Sequence, residues 1–208
     1  NNIIINPNTY NPFRKIDDYS IYTSLFFIDD SVTDVSSFDK YINNNVFVIK
    51  YNFMITCESL LEFIKNFSNI ERIAFAFHGP SSKDNLNSKI HTSFIQNETF
   101  FQTIDLDEHQ TIFSENVLFI KQLITLLNIK NLDFLACNTL QYEEWNKYYA
   151  ILQETDTNLV IGASDDNTGN IKYGGNWIME NTAENIKEIY FNDTIDIYSH
   201  LFLNVPYS

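Results

Sequence analysis

Short apolar runs alternate with stretches of helical period through the middle of the chain. Ser24-Leu25-Phe26-Phe27-Ile28-Asp29-Asp30 predicts a buried strand that ends in two carboxylates, followed by a short helix over 35–42. Val46-Phe47-Val48-Ile49-Lys50-Tyr51 predicts a second strand, dense in β-branched residues. Leu60, Leu61, Phe63, Ile64 and Phe67 then recur at helical spacing, opened by Ser59 with Glu62 three residues later. A third strand, Arg72-Ile73-Ala74-Phe75-Ala76-Phe77, ends at His78-Gly79. Val117, Leu118, Ile120, Leu123, Ile124 and Leu127 form the apolar face of a helix capped by Ser114. The run Leu132-Asp133-Phe134-Leu135-Ala136 predicts a fourth strand and ends abruptly at Cys137-Asn138. Trp145, Tyr148, Tyr149 and Leu152 mark one face of another helix, and Asn158 to Ala163 a fifth strand.

Other stretches are less regular. Residues 1–23 read as an irregular arm and 192–208 as a tail, leaving 24–191 as the domain. Pro80 to Asn87 predicts a loop, and Thr92–Ile95 with Thr99–Ile104 predicts a hairpin across Gln96–Glu98. Tyr173 to Glu180 and Ile186 to Phe191 read as short extended pieces near the sheet edge. The repeated strand–helix alternation implies one α/β domain. Its sheet is mostly parallel, with helices on both faces and right-handed crossovers. A chain of 208 residues supplies a sizeable core for such a domain.

Charge removes several function classes. With 13 Lys and Arg against 27 Asp and Glu, the net charge is -14, so nucleic acid and anionic membrane surfaces are disfavoured partners. There is no apolar run of the roughly 18 residues that a membrane span needs, and no leader pattern at the start. The first residue is Asn1 rather than Met, which leads us to expect a fragment or a processed product. Two cysteines are too few for a disulfide framework, so a reducing compartment is the simpler expectation. His91, His109 and His200 share no metal-ligand spacing with each other or with cysteine, so neither metal nor cofactor is expected.

The chemistry lies at two strand ends. Open α/β sheets place ligands at the carboxyl edge of their strands, where His78 and Cys137 both fall. Were the two strands parallel neighbours, their ends would lie about 4.8 Å apart. A cysteine nucleophile works as a thiolate generated by a nearby imidazole, so the motif needs the pair together in space. Such a dyad predicts a Cys137 more reactive near neutral pH than a free thiol of pKa about 8.5. The plainer reading makes Cys137 an apolar filler and His78 a polar strand terminus.

His78-Gly79 after one strand and Ala136-Cys137 after the next resemble the His-Gly and Ala-Cys signature of caspase-like cysteine peptidases. That group includes caspases, gingipains, legumain and the self-cleaving domains of clostridial toxins. The sequence is most similar to an uncharacterised caspase-like domain near the N-terminus of large bacterial surface and adhesin-like proteins. The acidic segment Phe27-Ile28-Asp29-Asp30-Ser31-Val32-Thr33-Asp34 fits that pattern. So do Ala163-Ser164-Asp165-Asp166-Asn167-Thr168-Gly169-Asn170 and Gly174-Gly175-Asn176-Trp177. The resemblance covers about residues 24–191 and implies a caspase-like three-layer sandwich with a small hairpin. It also implies that Cys137 attacks the scissile carbonyl, that His78 protonates the leaving amine, and that the amides of Gly79 and Cys137 hold the oxyanion. Pro80 stands where relatives carry a small polar residue, and proline has no N–H to contribute.

The neighbouring carboxylates have two readings. Asp165 and Asp166, with Asn138, could line an acidic pocket preferring Lys or Arg before the cleaved bond, or form a turn satisfying its own backbone. A calcium loop there lacks the required glycine and distal Glu. Asp29, Asp30 and Asp34 could orient His78 or cap the following helix. Cys57 reads as structural, and Trp145 and Trp177 as packing positions. The expected function is a cysteine endopeptidase-like domain acting on a peptide, a protein or its own longer precursor. The alternative is a catalytically silent module within a surface or virion assembly, bound to protein partners.

Overall fold

The computed structural model describes residues 16–51, 55–79, 93–94, 98–99 and 115–203. Strands β1 (Ser24–Asp29), β2 (Val46–Tyr51), β3 (Arg72–Ala76), β6 (Asn131–Leu135) and β7 (Val160–Gly162) form one parallel sheet in the order β2-β1-β3-β6-β7. The winding reverses between β1 and β3, and open α/β sheets place ligands beyond the carboxyl ends at such a switch point. Asp29 closes β1 there, and His78 lies just past β3.

Side-chain alternation along the strands sorts the core into two clusters. Leu25, Phe27, Phe47, Ile49, Phe75 and Phe134 face α2 (Cys57–Ile64), α3 (Glu115–Leu127) and α4 (Glu143–Gln153). The opposite parity, including Phe26, Ile28, Val48, Ala74, Ala76 and Leu135, faces a second layer. That layer holds α1 (Phe38–Tyr41), the antiparallel hairpin β8 (Ile178–Met179) and β9 (Glu184–Asn185), and α5 (Lys187–Tyr190). The domain is thus a three-layer α/β sandwich. A further antiparallel pair joins β4 (Ser93–Phe94) to β5 (Glu98–Thr99); the rest of the hairpin expected over 92–104 lies outside the described residues. Among the described residues no helix is long and apolar enough to cross a membrane.

Several local expectations shift. Helix α2 is capped by Thr56, whose hydroxyl accepts from the Ser59 N–H, so it begins ahead of the Ser59 box. Residues 187–190 are helical rather than extended, because the Asn185 side chain accepts from the Lys187 N–H and starts the turn. The expected tail is folded as far as it is described. Asn192 caps the 3-10 turn Asp193–Ile197, and Ile195, Tyr198 and Phe202 are buried against the second layer. The Ser114 cap and Pro80–Asn87 loop lie outside the described residues.

One polar network fastens this layer to the sheet. Asp133 stands in the middle of β6 with 1% exposure. Its Oδ2 accepts from Arg72 Nη2 at 2.8 Å and from the Tyr190 hydroxyl at 2.5 Å, while Arg72 also reaches Glu184 of β9 at 2.5 Å. Burial pushes the Asp133 carboxyl above the usual range, against the pull of Arg72. A group with a raised folded pKa costs stability above that pKa and recovers it as pH falls. Arg72→Met is therefore expected to cost roughly 3–5 kcal/mol at neutral pH, because it strips a buried carboxylate of its ion pair. Urea unfolding should show that cost shrinking as pH falls and Asp133 takes up a proton.

Candidate functional site

The register of β3 and β6 brings the two candidate residues together. Their last sheet pair is Ala76 with Leu135, and the Phe77 N–H continues the ladder to the Leu135 carbonyl at 3.2 Å. Beyond it the Cys137 N–H leaves the ladder for the Phe202 carbonyl, and both residues lie two positions past that last pair. Cys137 lies in the cluster that faces the α1/α5 layer, together with Ala74, Ala76 and Leu135. Gly79 packs directly on the backbone of Cys137. A Cβ at that position would lie 2.2 Å from the Cys137 carbonyl oxygen, so only glycine fits.

His78 is half-buried, and its Nε2 lies 3.3 Å from the Ser31 carbonyl oxygen. Asp29, 6% exposed, fixes that loop by accepting from the Ser31 N–H at 2.8 Å. Burial lowers the imidazole pKa, while hydrogen bonds to the Ser31 and Leu203 backbones and the charge of Asp29 pull it up. Burial likewise raises the Asp29 carboxyl. Asp29 thus acts on His78 through Ser31 and through its field. Asp30 is exposed, and Asp34 pairs with His200 at 2.7 Å instead.

Cys137 is fully buried. Its sulfur accepts from the Thr168 N–H at 3.2 Å and lies 3.6 Å from the Thr168 carbonyl, so the thiol is turned to that backbone rather than to the imidazole. Burial pushes the thiol up to about 12, which keeps it protonated at neutral pH.

The backbone above the thiol carries the most specific geometry. The N–H groups of Gly79 and Cys137 both donate to the Phe202 carbonyl oxygen, at 2.9 and 3.0 Å. This is the pair expected to hold an oxyanion, and here the chain's own carbonyl fills it. Phe202 also donates its N–H to the Thr168 carbonyl at 2.9 Å. Neither Phe202, Thr168 nor Ser31 stands out in the sequence as a site residue, because each contributes backbone groups.

The remaining candidates form a turn. Asp166 accepts from Ser164 Oγ at 3.2 Å and Asn176 Nδ2 at 3.0 Å, and its carbonyl accepts from the Asn138 N–H at 2.8 Å. Asp165 is exposed; its carbonyl accepts from Gln141 Nε2 at 2.6 Å and its N–H donates to Glu180. Asn138 adopts a left-handed conformation, φ 62°, and starts the turn that leaves β6. The carboxylate oxygens of Asp165, Asp166 and Glu180 lie within 4.8 Å of one another, and burial raises the Glu180 carboxyl. The Asp/Asn chemistry here ties the β7 loop to the turn after Cys137. Cys57 opens α2 and is half-buried, on the other side of the sheet. Trp145 stacks on Phe77 at 5.5 Å and Trp177 packs against Phe202 at 5.7 Å. Pro80, His91 and His109 lie outside the described residues.

This closed arrangement sets an expectation for reactivity. In the resting protein, iodoacetamide should label the half-buried Cys57 faster than Cys137. The Cys137 rate should still be rising at pH 10, since its thiol titrates near 12. Site-resolved mass spectrometry measures both; a Cys137 rate that levels off below pH 8 would contradict the closed arrangement.

No curated protein and no solved structure matches the chain. A family model described as "Domain of unknown function (DUF4347)" matches residues 25–202, a span that includes β1 from Leu25 onward, both strand ends and the Phe202 carbonyl. The chain belongs to that family.

Proposed function

We propose that the domain is a caspase-like cysteine endopeptidase with Cys137 as nucleophile and His78 as its acid–base partner. The observation that carries this reading is the convergence of two amides, Gly79 at 2.9 Å and Cys137 at 3.0 Å, on one carbonyl oxygen. Preorganised N–H pairs of this kind stabilise the charge that develops in acyl transfer. Cys137 and His78 follow the ends of the neighbouring strands that carry these amides, which supports the reading.

In the reaction, the Cys137 proton passes to His78 and the sulfur attacks the substrate carbonyl carbon. Negative charge moves to the oxygen between the Gly79 and Cys137 amides. The imidazolium then protonates the leaving amine, and the acyl-enzyme forms. Water attacks that thioester with His78 taking its proton; the carboxylic acid leaves and the thiol is restored. Asp29, through Ser31, keeps the ring in place. Substrates are peptides or proteins, the chain's own longer precursor included. Before any of this, the Phe202 carbonyl must vacate its place and the thiol must be uncovered.

The same closure supports a second reading, a catalytically silent module for protein assembly, because the thiol is neutral, buried and covered. A peptide library read by mass spectrometry separates the two, using wild type and Phe202→Ala, which loses the ring anchoring the covering carbonyl. Cleavage is expected from at least one of these chains. It should vanish when Cys137→Ala is added and fall about 100-fold or more with His78→Ala. Cleavage surviving Cys137→Ala would overturn the endopeptidase reading. No cleavage by either folded chain would favour the silent module.

A further inference from the structure

We propose that residues 200–203 occupy the site in the position of a substrate, so that the domain takes peptides with an aromatic residue before the scissile bond. The inference rests on the endopeptidase reading and names the substrate class of that same site.

The backbone contacts define the register. In a parallel sheet each strand N–H finds its own carbonyl. Here two N–H groups from neighbouring strands converge on the single oxygen of Phe202, which is what a carbonyl under attack requires. Upstream, 200–202 lie antiparallel to 168–170: the Phe202 N–H reaches Thr168, Leu201 bridges Gly169, and the Asn170 N–H reaches the His200 carbonyl at 3.3 Å. Gly169, at φ 142°, allows this approach, since a Cβ there would stand 2.6 Å from the His200 oxygen. Downstream, Leu203 bridges Gly79, and its backbone hydrogen-bonds the His78 ring. The Leu203 nitrogen is the one that would leave, and the ring beside that residue is the group that would protonate it.

Side chains then assign specificity. Phe202 is fully buried, with Phe38, Trp177 and Tyr198 rings at 5.8, 5.7 and 5.9 Å. An aromatic ring gains both burial and edge-to-face contact there. A Lys, Arg or Asp side chain would lose its hydration among these rings, which sets the site apart from the basic preference expected from Asp165 and Asp166. Two positions earlier, His200 meets Asp34 at 2.7 Å, so a cationic residue suits that place. Tethering gives the resident segment a high local concentration, so it outcompetes free peptide until it opens. With the thiol turned to Thr168, the segment is held without being cut.

The test uses the full chain, wild type and Phe202→Ala, with three peptide aldehydes, acetyl-His-Leu-Phe-al, acetyl-His-Leu-Lys-al and acetyl-His-Leu-Asp-al. An aldehyde carbonyl adds the Cys137 thiol reversibly, S–H across C=O, and protects it from iodoacetamide. Cys137 in Phe202→Ala should be alkylated on the order of 100-fold faster than in wild type. The Phe aldehyde should protect it at concentrations on the order of tenfold lower than the other two. Protection without an aromatic preference overturns this inference and leaves the endopeptidase reading standing. Faster alkylation that no aldehyde prevents overturns both. Equal alkylation in wild type and folded Phe202→Ala shows that the segment is not the cover and overturns the inference. Should Phe202→Ala fail to fold, hydrogen exchange on wild type decides. The amides of Gly79, Cys137 and Phe202 are expected to exchange together, by local opening, ahead of Ala74 and Phe134. Exchange of all five only on global unfolding overturns the inference.

Discussion

Two buried N–H groups at adjacent strand ends share one acceptor, and the arrangement of the carboxyl edge follows from that sharing. A buried backbone donor left unpaired costs about as much as a lost hydrogen bond, so Gly79 and Cys137 need an oxygen placed between them. The β3–β6 register sets the spacing of the two donors, and the missing side chain of Gly79 lets them come close. The Phe202 carbonyl then has one place to go. Its ring is drawn between Phe38, Trp177 and Tyr198, and the preceding residues pair with 168–170.

The second layer holds this closure in place. The Arg72–Asp133–Tyr190 network fastens α5 and β9 to the sheet, and the Trp177 and Phe191 that precede and follow those elements pack beside Phe202 and Phe26. A buried thiol with a high pKa and an occupied amide pair are two faces of one state. The two amides are taken up by the Phe202 carbonyl and the sulfur by the Thr168 backbone, and Phe202 and Thr168 are themselves hydrogen-bonded. Local opening of a few hydrogen bonds is far cheaper than unfolding the sheet.

The strand ends were legible in the sequence because apolar runs stop abruptly at His78 and Cys137, and hydrophobic patterning reports buried parallel strands well. The acidic turn was legible as a choice, and the hydrogen bonds of Asp166 with Ser164 and Asn176 favour its structural side. Asp29 was legible as a candidate, yet its contact with the Ser31 N–H has no side-chain signature. The part played by 192–203 was hidden for the same reason: Phe202 contributes a carbonyl, and any residue carries one. The role of Asp133 was not legible, because its partners lie 61 and 57 positions away in sequence.

The most direct check on the central claim is a long-range HNCO experiment on the isotopically labelled wild-type chain. It detects coupling through individual hydrogen bonds. The amide nitrogens of both Gly79 and Cys137 are expected to correlate with one carbonyl carbon, that of Phe202. Correlation of either amide with a different carbonyl, while the β3–β6 ladder gives its own cross-peaks, would contradict it.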